Sequence, residues 1–457
     1  MADSERIIEQ LRRENAELRA ENERLRRQLA ESLARIEELE QAAARPAAPF
    51  RRPESKRIPP SEQKRPGQKP GHAGFYRQRP RQVDQELEVS LKDCPHCGGQ
   101  VIGRVPLVQY IEEIPPIQPH VVRLTTWSGV CQQCGDVRTT HPLQTSTAQG
   151  AASTLLGPRA LALAALLNKK FGLTMRKTSR VLQKVCGLSV TPGGITHALT
   201  RMAGKLEGEY EALIGRLRAS PAVFADETSW WVGGPGWWLW TFTTPQTTLY
   251  RVDQSRGSQV VREVLGEDFA GMLVSDCLSS YDPPPYRKHK CIAHHLKAIR
   301  QARDRPDTSP SAYLEEWKQF FQVVIAINNV RDCMPAAEFT QRRQALEEWC
   351  DRLLAQPCEQ SAEVKVRNRL AKQRPHLLGC LYEPAAEPTN NRAERALRPA
   401  VIARKLSCGN KTPRGRNTWQ ILASLAQTCQ DQGQEFVDFV VQRLTLATPT
   451  PQATPAG

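Results

Sequence analysis

The sequence has no apolar run that approaches the ~20 residues a membrane span needs. Its longest candidates, near 160–167 and 320–327, reach about half that length. The first forty residues are charged throughout and hold no apolar core of a secretory leader. The cysteines number 13, an odd count in a long chain without such a leader, which argues against a disulfide scaffold. Acids are outnumbered: 48 Asp and Glu face 63 Lys and Arg, a net charge of +15. That excess calls for a polyanionic partner, and without a span nucleic acid is favoured over a membrane. At 457 residues the chain has room for about three domains and a real core.

Residues 4–40 contain neither Pro nor Gly and carry about five heptads. Leu11, Leu18 and Leu25 take d positions, and Asn15, Asn22 and Leu29 take a positions. Buried a-position Asn favours a parallel dimer in one register, so the stretch is expected to pair two copies of the chain. A single amphipathic helix packed on the body would show the same spacing. Residues 41–88 form a linker rich in Pro, Arg and Lys; between Arg45 and Arg81 there are 11 basic residues and two acids. Such a segment can lie along phosphates or act as a plain tether.

Cys94-Pro-His-Cys97 and Cys131-Gln-Gln-Cys134 are each followed by Gly, with 33 residues between Cys97 and Cys131. Two such knuckles supply the four thiolates of a closed structural Zn2+ site, here assigned to residues 89–145. A pair of redox dithiols is the alternative. The runs 105–114 and 120–127 between them read as strands.

Residues 150–218 read as helical: 159–171, then 175–185, a Gly turn, and a helix capped by Thr191 and Pro192. The pattern suits a helix-turn-helix, with Arg176, Lys177 and Arg180 offered to DNA, although helical hairpins are common elsewhere. From 221 the pattern changes to a three-strand meander, a helix and a further strand. Asp226 ends one apolar run and Asp276 another. The segment 289–300 reads as a basic helix. A helical insertion at about 300–382 fills the 117 residues between Asp276 and Glu394. Glu394 sits in the first turn of a helix beside Arg392, Arg395 and Arg398; Arg404, Lys405 and Lys411 follow in a basic C-terminal region, 401–445. The tail 446–457 is Pro/Thr/Ala-rich, a composition that does not support a core.

Each acid has a plain structural explanation. Asp226 could cap a turn, Asp276 could cap a helix, and Glu394 could complete a capping box with Asn391 or pair with Arg398. Together, two strand-end acids and one helical acid amid arginines suit hard divalent cations at a phosphodiester.

The order of these segments resembles a transposase of the insertion-sequence-sixty-six family. The resemblance runs from Arg65-Pro-Gly-Gln-Lys-Pro-Gly-His to the C-terminal region. Its most specific parts are Ala225-Asp226-Glu227-Thr228, Cys291-Ile-Ala-His294 and Asn390-Asn-Arg-Ala-Glu394-Arg-Ala-Leu-Arg-Pro399. It implies a multidomain α/β chain with an RNase H-like catalytic domain at 219–400. It also implies that Asp226, Asp276 and Glu394 bind two Mg2+ (or Mn2+) ions. Where the family usually has Gly and an aromatic after the second Asp, this chain has Cys277 and, further on, Tyr281. The implied activity is cleavage of element ends and joining of 3′-hydroxyls to target DNA in a bacterial cytoplasm or nucleoid. The partners would be terminal inverted repeats, target DNA, a second copy of the chain and accessory proteins of the same element. A nuclease without strand transfer, or a non-catalytic DNA-binding regulator, would share most of these features.

Overall fold

A computed structural model describes residue 13, residues 17–25, residue 28, and residues 77–146, 154–305 and 309–446. The chain divides into two compact units, Met1–Glu113 and Ile114–Gly457.

In the first unit, residues 17–25 are helical. Leu18 and Leu25 of the expected dimer seam are exposed, and Asn22 Nδ2 donates to the Leu18 carbonyl at 3.0 Å. Leu11, Asn15 and Leu29, and most of the expected linker, lie outside the described residues. So does the tail beyond 446.

The expected strands at 105–114 and 120–127 do not form. Both stretches are irregular, with Val105, Leu107, Ile111 and Val121 largely exposed. Pro106, Pro115, Pro116 and Pro119 each remove a ladder donor, and β-rich composition alone supplies no partner strand. The hairpin lies one step later: β1 (Ser128–Cys131) pairs antiparallel with β2 (Gly135–Arg138).

Four helices follow: α1 (Pro158–Ala165), α2 (Met175–Cys186), α3 (Pro192–Lys205) and α4 (Glu207–Arg218). A π-helical turn, Leu166–Lys170, extends α1 to the length expected. Gly187 ends α2 in the left-handed region at φ 67°. The Thr191 side chain accepts from Gly194 N and Pro192 opens α3, as the cap chemistry requires.

The centre is a five-stranded mixed sheet in the order β5-β4-β3-β6-β7. Its strands are β3 (Ala222–Trp230), β4 (Trp237–Thr243), β5 (Thr248–Asp253), β6 (Met272–Ser275) and β7 (Arg287–Lys290), with α5 (Ser258–Leu265) between β5 and β6. The meander is antiparallel, and β3-β6 and β6-β7 are parallel. Alternation along β3 divides the core. Val223 and Ala225 face α1–α5 and the C-terminal helices, while Ala222 and Phe224 face the helical insertion. That insertion comprises α6 (Ile292–Arg303), α7 (Ala312–Val330), α8 (Ala336–Ala355) and α9 (Ser361–Gln373).

Part of the segment expected to open a basic helix is instead β7. Its Lys288, His289 and Lys290 are all buried. Lys290 Nζ finds the Asp282 carboxylate at 3.1 Å and Ser275 Oγ at 3.3 Å, which lets a charged residue occupy an interior strand.

Three helices close the chain: α10 (Asn391–Ser407), α11 (Pro413–Asp431) and α12 (Phe436–Leu446). α11 covers the exposed edge of β5. Gln420 Oε1, Ser424 Oγ and Thr428 Oγ1 accept from the backbone N–H groups of Val252, Tyr250 and Thr248 at 3.1, 2.8 and 3.0 Å. A four-residue helical step meets the two-residue strand step, so the edge donors are satisfied by side chains. Among the described residues no helix is long and apolar enough to cross a membrane.

Candidate active site

Asp226 and Asp276 are neighbours by register. Ala222 pairs with Met272 and Phe224 with Val274, so the same two-residue step sets Asp226 beside Asp276, one step beyond the last paired residues. Both lie on the sheet face that carries the insertion.

Each acid has one oxygen held locally. Asp226 Oδ1 accepts from Glu227 N, and Asp276 Oδ1 accepts from Leu278 N, both at 2.9 Å. Cys277 therefore sits in a tight turn after the second acid; its Sγ is 3.8 Å from His295 Nε2, and burial pushes the thiol up.

Glu394 comes from the first turn of α10. That helix is pinned to β3: Asn390 Nδ2 donates to the Ala225 carbonyl at 2.8 Å, and Asn390 N donates to Cys291 Sγ. The Arg392 guanidinium lies 5.5 Å from the Phe224 ring centre. The Glu394 side chain makes no hydrogen bond or ion pair among the described residues, so neither a capping box nor an Arg398 pair engages it.

The charges of the other acids act on Asp226. Asp226 is pushed up to about 7, first by burial and then by the charges of Glu227, Asp276 and Glu394. Among the described residues no three such side chains stand close enough to enclose a metal ion. The donor chemistry nevertheless fits hard divalent cations. The oxygens are anionic, each Asp keeps one free of hydrogen bonds, both of Glu394's are free, and the mutual repulsion is of the kind a cation relieves.

A fourth acid was not singled out from the sequence. Glu227 follows Asp226 on the strand and so faces the other side of the sheet. Its carboxylate is almost fully buried and fully engaged: Arg256 Nη2 donates at 2.8 Å, and Tyr281 OH donates to the other oxygen at 2.7 Å. Tyr281, fully buried, thus ties the loop after Asp276 to the strand that carries Asp226. The adjacency of Glu227 to Asp226 was the available signal; the partners come from Arg256 and Tyr281, distant in sequence.

The basic residues differ in exposure and in what they touch. Arg392 is paired with Glu387. Arg404 is turned inward onto Ser229 Oγ at 2.9 Å and Thr228 Oγ1 at 3.2 Å. Arg395, Arg398, Lys405 and Lys411 are exposed, as are Arg176, Lys177 and Arg180 on α2. The loop before Lys411 is fixed to the end of β3. Gly409 adopts φ 97° against the Trp231 carbonyl, where a Cβ would come within 2.5 Å, and Asn410 Oδ1 accepts from Trp230 Nε1 at 2.8 Å.

The two cysteine pairs belong to different units and are separate turns. Around Cys94, Gly98 N donates to the Cys94 carbonyl and Cys94 N to the Gly99 carbonyl. Cys131 and Cys134 flank the β1–β2 turn with sulfurs 3.5 Å apart. Backbone N–H groups lower the thiol pKa of both leading cysteines, chiefly that of His96 for Cys94 and that of Cys134 for Cys131. Such donors favour thiolate.

An uncharacterized protein y4qI of Sinorhizobium fredii (strain NBRC 101917 / NGR234) is 26% identical over 299 residues, covering 57% of this chain and 54% of that protein. An uncharacterized protein y4hP of the same strain is 22% identical over 468 residues, covering 93% of this chain and 82% of that protein. The match therefore spans about half the length of the first relative. Residues 153–418 match the family described as transposase IS66 family, a stretch that includes the whole sheet, all three acids and the insertion. The chain belongs to the IS66 family of transposases.

Proposed function

We propose that the chain is a DNA transposase that cuts the ends of an insertion sequence and joins the freed 3′-hydroxyls to target DNA. The reading is carried by one observation: the register of parallel β3 and β6 sets Asp226, within β3, beside Asp276, just past the end of β6, on a helix-covered face where Glu394's charge reaches Asp226. In this reading the sheet is an RNase H-like core, and Asp226, Asp276 and Glu394 hold Mg2+ or Mn2+. Divalent cations, when bound, supply Lewis acidity and offset charge on the phosphodiester oxygens.

The chain's own groups do the remaining work. The amides of Glu227 and Leu278 orient the two aspartates. Asn390 sets the position of Glu394 relative to β3. Arg256 and Tyr281 occupy Glu227, so that the neighbouring acid stays out of the reaction. The exposed Arg395 and Arg398 lie on the same helix as Glu394 and can hold phosphates. Each Cys-x-x-Cys turn offers thiolates to structural Zn2+, and the heptads pair two chains so that two DNA ends are handled together.

Strand transfer is the decisive product. Incubating the protein with its element's terminal DNA, a supercoiled target plasmid and Mg2+ is expected to give joined products. Nicked ends without joining would identify a nuclease, and specific binding without nicking would identify a regulator.

A further inference from the structure

Beside α10, away from Glu394, lies an open cavity of about 530 Å3. The size falls within the roughly 300–1,000 Å3 of small-ligand sites. Arg392, Arg395, Pro399 and Ile402 give the cavity one face of α10, and Glu394 lies about 200° round the helix from Arg392. The π-helical turn after α1, the β4–β5 turn and the end of α11 supply the other walls.

The floor is already satisfied. Lys170 Nζ donates to Gln427 Oε1 at 2.5 Å, Gln427 Nε2 donates to Asp431 Oδ1 at 2.8 Å, and Thr248 Oγ1 donates to Asp431 Oδ2 at 2.6 Å. On the α10 wall Arg392 is paired with Glu387, but other lining groups are unmet. The Arg395 guanidinium has no partner among the described residues, and Phe171 and Ile402 stay 61% and 49% exposed. A free guanidinium calls for an anion. An exposed aromatic ring calls for a flat or apolar surface. One ligand that offers both is a nucleotide, with its phosphate and base. Arg398 and Arg395, both exposed, cross the outer surface of α10 between Glu394 and the cavity, a basic path for a strand leaving the acids.

We propose that this cavity seats one unpaired nucleotide of a DNA strand, its phosphate on Arg395 and its base against Phe171. The proposal rests on the reading of the chain as a DNA-handling enzyme. Fluorescence anisotropy tests it with the full chain and two labelled duplexes, one blunt and one with a short single-stranded overhang. The wild type is expected to prefer the overhang by on the order of tenfold, the scale of one stacked base. Phe171→Ala and, as a cavity-filling control at the rim, Gln430→Trp are each expected to bring that ratio to about one. Circular dichroism melts show whether the variants are folded, and either folded variant suffices.

A wild-type ratio of one, or a ratio that a folded variant preserves, overturns the proposal and leaves the transposase reading intact. Failure to bind either duplex overturns both. Calorimetric titration with dAMP separates the sources of the ligand. Binding of dAMP that depends on Phe171, without any overhang preference, would assign the cavity to a free nucleotide and overturn the strand assignment.

Discussion

Asp226 is held where its own charge is opposed, and that has a measurable consequence. Its folded pKa of about 7 stands well above the ~3.9 of an unfolded chain. The folded state therefore binds this proton more tightly. The stability it contributes is fully present below about pH 4 and is lost as pH rises through about 7. Asp226→Asn should accordingly melt higher than wild type at pH 8 in chelator, by at most a few kcal/mol, with the gap closing toward pH 4. Thermal melts across pH check this; a gap independent of pH would contradict it. The comparison must be made at each pH because His289 and His295 act in the opposite sense. Burial lowers them to about 4 and about 3, so their contribution is present above ~6.5 and lost on acidification. At this scale the sequence was informative for the acids, because an apolar run ending in Asp is a visible pattern. It was silent on Glu227, whose partners Arg256 and Tyr281 lie about 30 and 54 residues away.

Among the elements, two contacts deserve substitution. Tyr281→Phe removes the donor to Glu227 and leaves a buried carboxylate oxygen unpaired, a loss of about 1–3 kcal/mol. Denaturant unfolding should show it, and an unchanged midpoint would mean that the tie between the two acidic segments carries no load. Ser424→Ala strips the acceptor from the Tyr250 N–H on the edge of β5, with an expected cost of about 1–2 kcal/mol and faster exchange of that amide. The helices were legible because caps such as Thr191-Pro192 and apolar spacing are local signals. β7 was not, because Arg287-Lys-His-Lys290 shows no apolar alternation and is held by Asp282, Ser275 and the neighbouring strand. The opposite error at 105–127 has the same cause: β-rich residues form a strand only where a partner takes their hydrogen bonds.

For the whole molecule, net charge pointed to the class of partner, and the order of segments pointed to the family. The sheet order could not be read directly, since placing β3 between β4 and β6 depends on contacts across the chain. DNA binding should weaken steeply with salt, and Arg398→Ala should reduce the salt slope by about one while weakening all sequences alike. A slope unchanged in the variant would remove Arg398 from the interface. The central claim is that three acids drawn from β3, the end of β6 and α10 form one metal-dependent site. Its most direct test is cleavage of the element's terminal DNA in Mg2+ or Mn2+, comparing wild type with Asp226→Asn and Glu394→Gln. The account predicts cutting by wild type and a loss of at least about a hundredfold in each variant, the scale of several kcal/mol of lost charge stabilisation, with DNA binding retained. Cleavage that persists in both variants would contradict it.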